Sequence, residues 1–391
     1  MKMKMHLMRK VFSVLLFIWL ISIPAKLSAQ IVPVSEPEGP DDNIFWSLVP
    51  FGAYTSDSGF FGSVVFKRIN YGDDISPYHS SLRVDFTAST RRKLESGFVY
   101  ERTNLFGTSM RHRTLVHYMR EPNGPYYGIG NTSVFTNTDF EQGAYFYELN
   151  QIMVDFMGRK KLFEILDHGI LEGVFRVRVS KRSLYGRGAD TVFEQDNPFG
   201  TDGGWVNKLG AGLIIERRNS EFAPSSGFRY ETGANLSESF LGSDYSFNKL
   251  FADFRHYYSP FNNVVLAHKA EVRHSSGDVP FWQLPILGNE KGLRGYSLDR
   301  FIGDSSVLQI LELRTWLFSI LDDNIKIGSH LFWDSGRVFS EFDSNGVFED
   351  WNHTFGIGGT ISVFSPDLII RGEAAFSDEN FRIYAGLGYL F

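Results

Sequence analysis

The stretch VVLAHKAEVR, Val264 to Arg273, shows the pattern that decides the fold. Its charged residues Lys269, Glu271 and Arg273 occupy every second position, opposite apolar residues such as Val272. A β-strand directs alternate side chains to opposite faces, whereas a helix would spread these charges around its circumference. The stretch therefore predicts a strand with one charged face and one apolar face.

The same alternation recurs along most of the chain. LRVDFTA (Leu82 to Ala88) and LIIRGEAAF (Leu368 to Phe376) repeat it, and the second gathers Arg371 and Glu373 on one face. We count about sixteen such segments, separated by turn residues. They begin near positions 44, 59, 79, 93, 108, 144, 169, 206, 227, 247, 262, 305, 324, 352, 367 and 381.

Two arrangements can use such strands. A soluble sandwich points the apolar face to a core and the charged face to water. A membrane barrel points the apolar face to lipid and the charged face to the lumen. An even strand number, strands of the ~9–11 residues that cross a bilayer, and connections of unequal length favour the barrel. The sequence predicts an all-β fold, a transmembrane antiparallel β-barrel of about sixteen strands.

The composition agrees with β-structure and excludes several functions. Aromatic residues make up 16% of the 391 residues and there are 38 glycines, which favours strands and tight turns. The net charge of -6 provides no basic surface for nucleic acid. Cysteine is absent, so disulfides and thiolate metal sites are impossible. The ten histidines lack metal-ligand spacing, and we expect no cofactor or metal.

The first residues predict export. A basic start, MKMKMHLMRK, precedes the apolar run VFSVLLFIWLISIPA and the small-residue exit LSAQ. This is the pattern of a signal peptide cleaved after Ala29, and the apolar run is shorter than a spanning helix needs. We therefore expect a signal peptide at 1–29, a short periplasmic leader at 30–43 and a barrel domain at 44–391.

The last segment, FRIYAGLGYLF, ends on an aromatic residue. As a strand it would place Ile383, Ala385, Leu387, Tyr389 and Phe391 on one face. It resembles the C-terminal signature of bacterial outer-membrane barrels, and Tyr389 and Phe391 are the residues that carry the likeness.

A glycine-flanked arginine loop, KGLRGYSLDR, lies between the eleventh and twelfth predicted strands. Its LRGY motif (Leu293, Arg294, Gly295 and Tyr296) resembles the signature loop of the bacterial surface antigen superfamily. These are the BamA/TamA-type barrels of outer-membrane assembly and secretion. FWDSG matches the family's strand motif at Phe332, Asp334 and Gly336. The resemblance implies that the loop inserts into the lumen, where its arginine pairs with carboxylates.

Two carboxylates are the predicted partners of Arg294. Glu312 lies on the strand after the loop, and Asp334 lies on the next strand, on one face with Lys326 and His330. The planar guanidinium of Arg294 can bridge both acids, which a lysine does poorly. The bridge either stiffens the barrel or takes part in moving a substrate, and the sequence leaves both open.

Two further stretches resemble the family, and one feature departs from it. ERRNSEFAPSSGFRYE carries a Pro224–Gly227 turn like that of the family's arginine hairpin, and YYGIGN (Tyr126 to Asn131) is a looser match. Classical members carry POTRA modules before the barrel, whereas here residues 30–43 leave no room for one. The chain is expected to belong to a barrel-only branch, with an unidentified periplasmic accessory protein as a candidate partner.

The resemblance implies a function at the bacterial outer membrane. The expected role is to aid insertion or translocation of polypeptides, through a weak seam between the first segment, Asn43 to Tyr54, and the last, Phe381 to Phe391. Expected partners are outer-membrane lipid and unfolded outer-membrane or secreted polypeptides, with no nucleic acid. The alternative is a passive channel or structural barrel without insertase activity.

An enzyme is the third possibility. His330 and Asp334 could form a triad with Ser329 or Ser335, but no GxSxG nucleophile elbow is present. We expect no catalytic residue and no enzyme.

Overall fold

The computed structural model describes residues 44–391 except 57, 72–77, 166–168, 290, 322–323, 341–348 and 364. The predicted signal peptide and periplasmic leader lie outside the described residues, so both remain predictions.

Sixteen strands form one antiparallel sheet in which each strand pairs with its neighbours in the chain. The sheet nearly closes on itself, which confirms the predicted sixteen-stranded barrel. Two further strands of two residues each, β12 and β13, pair with each other within the connection between β11 and β14. The strands are β1 (Ile44–Thr55), β2 (Gly59–Asn70), β3 (Ser80–Ser89), β4 (Leu94–Arg102), β5 (Met110–Pro125), β6 (Phe146–Ile165), β7 (Gly169–Tyr185), β8 (Gly204–Glu216), β9 (Gly227–Ser237), β10 (Phe247–Phe261), β11 (Val264–Gly277), β12 (Ile286–Leu287), β13 (Phe301–Ile302), β14 (Ser305–Ile320), β15 (Ile325–Phe339), β16 (Asn352–Val363), β17 (Ser365–Phe376) and β18 (Phe381–Leu387).

In the part of the chain that the structure describes, helical structure is limited to short segments in the connections. Two α-helices, α1 (Asn137–Gln142) and α2 (Val192–Asp196), begin after threonine N-caps, Thr136 and Thr191. Each threonine side chain accepts a hydrogen bond from a backbone N–H of the first turn. Short 3-10 helices occur at Leu105–Gly107, Ser239–Leu241 and Phe281–Gln283. Within the described ranges, every helix is too short or too polar to cross a membrane.

The strand faces are arranged as a membrane barrel requires. On β11, Lys269 and Glu271 are buried, whereas Leu266 and Val272 are 37% and 44% exposed. The charged face therefore points to the inside of the barrel and the apolar face to its surroundings, the reverse of a soluble sandwich. The pairing registers carry this alternation from strand to strand, because opposite residues share a face.

The two ends of the barrel differ. The loop end carries the connections at 56–58, 90–93, 126–145, 186–203, 238–246, 278–304, 340–351 and 377–380. The turn end carries the start of β1, the end of β18 and shorter connections such as 262–263 and 321–324. This asymmetry is the one expected of an outer-membrane barrel.

The described residues form three clusters of buried hydrophobic side chains, two of them large. The first core joins strand ends near the loop end to the long connections, and in it Tyr147 stacks on Phe193 with ring centroids 4.8 Å apart. The second core combines the 288–300 connection with β10, β11, β14, β15 and the last residues of the chain. Its buried members are Tyr257, Ala267, Leu287, Leu293, Tyr296, Phe301, Leu308, Ile310, Val338 and Phe391.

The final residues differ from the prediction. Strand β18 ends at Leu387, so Tyr389 and Phe391 do not extend its outer face. Gly388 has a φ of 76°, a left-handed conformation that turns the chain out of the sheet. Phe391 is buried in the second core, and its carbonyl oxygen accepts a hydrogen bond from Nη2 of Arg314 at 3.1 Å. The aromatic end therefore packs inside the barrel.

Candidate functional site

The predicted arginine loop is held at both ends by short secondary structure. Residues 288–300, called the arginine loop below, follow β12 and precede β13, and the pairing of these two strands brings the loop ends together. Backbone hydrogen bonds from Gly288 and Asn289 to the carbonyl of Gly292 tighten its first turn. The loop contacts β14, β15, β17 and β18 through the residues described below.

Two glycines let the loop approach these strands closely. Gly295 has a φ of +103°, and a Cβ there would lie 3.1 Å from the backbone of Phe376 and of Ser377. A Cβ at Gly292 would lie 2.4 Å from the Leu308 side chain. At Gly295 the neighbouring atoms are backbone, so any other residue would force the loop away from these strands, whereas at Gly292 the Leu308 side chain would have to move.

The guanidinium of Arg294 is fully buried and bonded to both predicted partners. Its Nε and Nη2 donate to the two oxygens of Asp334 at 2.9 and 2.6 Å, the parallel arrangement that arginine favours with carboxylates. The backbone N–H of Arg294 also donates to Asp334. Nη1 donates to Oε1 of Glu312 at 2.8 Å.

A third carboxylate, which the sequence reasoning missed, completes the site. Nη1 of Arg294 also donates to Oε1 of Glu373 on β17 at 2.8 Å. The same oxygen lies 2.9 Å from Nε2 of His330. The alternation on LIIRGEAAF had placed Glu373 on a polar face beside Arg371, and that was the available signal. It did not show which loop the face meets.

The buried charges of the site balance. Arg314 pairs with Glu312 at 2.9 Å, and Arg371 lies 3.3 Å from Glu373. With Arg294 and Asp334 this gives three arginines and three carboxylates. Although burial opposes the charged form, the carboxylates of Asp334 and Glu312 hold the pKa of Arg294 above its usual value. The site is thus a compensated ionic cluster, with the Arg294 guanidinium 3.5 Å from the ring centre of Phe332.

The loop also fastens the last hairpin of the barrel. The backbone N–H of Gly295 donates to the Tyr384 hydroxyl at 3.1 Å, and the Ser377 hydroxyl donates to the Gly295 carbonyl at 3.0 Å. The Tyr296 hydroxyl donates to Asp378 at 2.5 Å. Burial and this hydrogen bond raise the pKa of Tyr296. These contacts connect the loop to β17, β18 and their connection.

Arg300 ties the end of the loop to two other connections. Its Nε donates to Glu379 at 2.9 Å, and Nη1 donates to the Ser133 hydroxyl at 2.6 Å. The guanidinium lies 5.4 Å from the ring centre of Tyr127, in the predicted YYGIGN stretch. Backbone pairing of Gly130 with Ile302 joins that stretch to β13.

The second predicted stretch, the arginine hairpin, lies at the turn end, away from the arginine loop. Glu216 ends β8 and pairs with Arg218 at 2.7 Å and with Arg229 at 3.3 Å. Gly227, the last residue of the predicted Pro224–Gly227 turn, begins β9 with a φ of +96°, a left-handed conformation that favours glycine.

Two other chemistries can be compared with this geometry. One ligand atom each from Glu312, His330 and Glu373 lies within 4.8 Å of the others, as a metal site requires. However, Nη1 of Arg294 donates to both of those carboxylates, so a cationic group already fills the position a metal ion would take. In the part of the chain that the structure describes, the hydrogen bond on Nε2 of His330 goes to Glu373 and not to a serine hydroxyl.

Comparisons with solved structures support the barrel fold. The chain is similar to BamA from Haemophilus ducreyi, in a crystal structure lacking POTRA domains 1–3, with 14% identity and a TM-score of 0.57 over 88% of this chain and 75% of that one. It is similar to CdiB from Escherichia coli, with 12% identity and a TM-score of 0.60 over 90% of this chain. CdiB from Acinetobacter baumannii gives 10% identity and a TM-score of 0.53 over 89% of this chain. The chain spans 64% and 60% of the two CdiB chains.

Sequence comparison shows the family. No curated protein matches the chain at a significant level. Residues 81–391, most of the chain and all of the arginine loop, match the Omp85 superfamily domain. Together with the BamA-like fold, this match confirms the predicted resemblance to BamA-type barrels. The chain belongs to the Omp85 superfamily.

Proposed function

We propose that this protein lies in the bacterial outer membrane and aids the insertion or translocation of polypeptides there. The family and the similarity to BamA and CdiB barrels support a role in outer-membrane protein assembly or secretion. The finer role, assisting unfolded outer-membrane or secreted polypeptides, rests on the junction between the first and last strands.

That junction is the observation that carries the proposal. Among the described residues, the sheet runs from β1 to β18 with no hydrogen-bonded ladder recorded between those two strands. Across the described residues of the junction, Ser56 N–H donates to the Ile383 carbonyl and Ile383 N–H donates to the Ser56 hydroxyl, both at 3.0 Å. In the described part of the chain, the other backbone groups of β1 that pair within the sheet do so with β2, and the opposite edge of β1 can template an incoming strand.

The arginine loop has a supporting role in this proposal. We place it inside the lumen, where Arg294 joins β14, β15 and β17 and where Tyr384 joins the loop to β18. The loop then keeps the last hairpin in position while the edge of β1 is free to separate. This role assigns no catalytic residue and needs no cofactor.

A passive channel is the second candidate. The inner-face arginines Arg178 and Arg273 have side chains that are 27% and 51% exposed, which would suit a water-filled passage. A stable conductance in planar bilayers that unfolded polypeptides leave unchanged would favour this candidate.

The experiment locks the junction with a disulfide. The natural chain has no cysteine, so the pair Ser56→Cys and Ile383→Cys introduces one defined cross-link. The matched control is Ala252→Cys with Val272→Cys, two opposite residues in the continuous β10–β11 ladder. Insertion of an unfolded test barrel into liposomes is measured with each purified protein, oxidised and reduced.

The proposal expects the oxidised junction variant to lose the acceleration of insertion and to regain it on reduction. The ladder control should accelerate insertion in both states, because that ladder has no need to open. If the oxidised junction variant remains as active as the reduced one, the junction is not the route. If no variant accelerates insertion over empty liposomes, the insertase role is wrong.

A further inference from the structure

Two lysines on the inner face near the loop end hold one short helix. Lys208 on β8 donates from Nζ to Oε1 of Gln283 at 2.9 Å. Lys249 on β10 donates from Nζ to the backbone carbonyl of the same residue. Gln283 ends the 3-10 helix Phe281–Gln283, which begins the connection that carries the arginine loop. Two ammonium groups therefore meet at a single neutral residue.

A third cation borders the same helix. Arg182 on β7 lies with its guanidinium 4.9 Å from the ring centre of Trp282. Its Nε and Nη2 donate to Oε1 of Gln151 at 3.0 and 2.6 Å. Among the described residues, the hydrogen-bond and ring partners of these three cations are amide or carbonyl oxygens and an aromatic ring, which carry no negative charge. The charge of Asp299 in the arginine loop acts on Arg182 but, within the described ranges, forms no ion pair with either lysine.

The acids of the neighbouring strands are engaged elsewhere. Asp155 pairs with Arg176 and Arg178, and Lys269 holds Asp253 and Glu271 at 3.5 and 2.9 Å. Among the described residues, no carboxylate forms an ion pair with Lys208 or Lys249. Lys269 on the same inner face is ion-paired with two carboxylates, whereas the two lysines at Gln283 are not.

This lack is costly because the site is buried. Lys208 is 7% exposed, and its ammonium has three N–H donors of which Gln283 accepts one. Buried charges in proteins are normally paired with an opposite charge or bind one. The unused donors, and the lack of an ion-paired carboxylate on either lysine among the described residues, both favour an anion at this position.

We propose that Lys208 and Lys249 form a binding site for a phosphate group, with Arg182 beside it. A carboxylate brings one negative charge and two oxygens, fewer than these cations can use. A phosphate monoanion or dianion brings up to two charges and more acceptor oxygens, so it satisfies more donors at once. Arg178 lies opposite Lys208 in the β7–β8 register and is partly exposed, which gives the anion a polar approach along the inner face.

The test compares inorganic phosphate with chloride at equal ionic strength, by the thermal unfolding midpoint of the full chain in detergent. The unfolding midpoint of the wild-type protein should rise more in phosphate than in chloride, and the rise should saturate as the phosphate concentration increases. Lys208→Gln together with Lys249→Gln should weaken the apparent affinity about tenfold or more. The same variant controls for the general stabilisation that phosphate gives by exclusion from protein surfaces. Lys326→Gln, an exposed lysine on β15, is the matched control and should behave as wild type.

A second variant keeps the test decisive if the double variant does not fold. Gln283→Glu supplies the missing negative charge, so it should raise the midpoint without phosphate and abolish the response to phosphate. Glycerol 3-phosphate distinguishes the source: a response to it alone indicates a phosphate ester such as a lipid headgroup. Equal responses of wild type and the lysine variant, or a Gln283→Glu variant that still responds as wild type does, would overturn the site.

Discussion

Replacing Arg294 with alanine tests whether the arginine loop is an ionic clasp. Arg294 donates five hydrogen bonds to the three carboxylates. The substitution removes the four that its side chain donates and keeps the one that its backbone N–H donates to Asp334. The three carboxylates are not affected equally. Glu312 keeps Arg314, and Glu373 keeps His330 and Arg371. Asp334 keeps only the backbone N–H among the described contacts.

The magnitude follows from that inequality. One carboxylate, Asp334, is left fully buried without a cation, whereas the other two remain paired. Breaking a buried ion pair by removing one partner costs about 3–5 kcal/mol. The substitution should therefore cost about as much as one broken pair, and not as much as three. The free energy of unfolding of Arg294→Ala should therefore fall by roughly 3–5 kcal/mol.

A second substitution separates charge from packing. Asp334→Asn removes the unpaired charge, so in the Arg294→Ala background it should restore part of the lost stability. The same change in wild type should destabilise, because it leaves Arg294 with one charged partner fewer. This double-mutant cycle isolates the coupling between the two residues.

The assay is urea unfolding of the purified barrel in liposomes or detergent, followed by tryptophan fluorescence and by band shift on unheated gels. A loss below about 1 kcal/mol for Arg294→Ala would refute the reasoning, because it would mean that the site is open to water and behaves as a surface ion pair. If Asp334→Asn further destabilised the Arg294→Ala variant, this result would refute the reasoning independently.

Two further predictions concern how the loop is held. Gly295→Ala should destabilise the barrel by about 1–3 kcal/mol in the same urea titration. Gly295 has a left-handed conformation, and the new Cβ would meet the backbone of Phe376 and Ser377. Unchanged stability would mean that the loop can shift at little cost. Arg300→Ala should increase proteolytic cleavage within residues 126–135 and leave the unfolding midpoint nearly unchanged. The substitution removes the hydrogen bonds to Glu379 and Ser133, both of which lie outside the sheet. An unchanged digestion pattern would show that Arg300 does not hold this connection.

The strand faces and two partners of Arg294 could be predicted because they depend on the alternation of apolar and polar residues within single strands. Alternation along one strand fixes which side chains share a face, whatever the strand later meets. It therefore placed Glu312 and Asp334 on polar faces. The motif likeness then indicated that Arg294 contacts those faces, and the geometry brings the three residues together.

Other contacts depend on how distant strands curve round and were not predictable in the same way. Glu373 is separated from Arg294 by 79 positions in sequence, and their contact arises because the barrel brings β17 close to the arginine loop. The inward turn after β18 depends on one left-handed glycine, Gly388, and on the place that Arg314 offers to Phe391. Alternation alone continued the strand through both aromatic residues.

The distribution of the clasp contacts bears on how the junction could open. Apart from the bonds of Arg300 to Ser133 in the β5–β6 connection, the hydrogen bonds of the arginine loop described above go to β14, β15, β17 and β18 or to the connection between the last two, on one side of the junction. Phe391 is held on the same side by Arg314. On the other side, the hydrogen bonds that the described residues of β1 form within the sheet go to β2. Separation of the junction would therefore move β1 and β2 away from a last hairpin that the loop keeps in place. The proposed insertion role needs such a strand edge, exposed on one side and supported on the other.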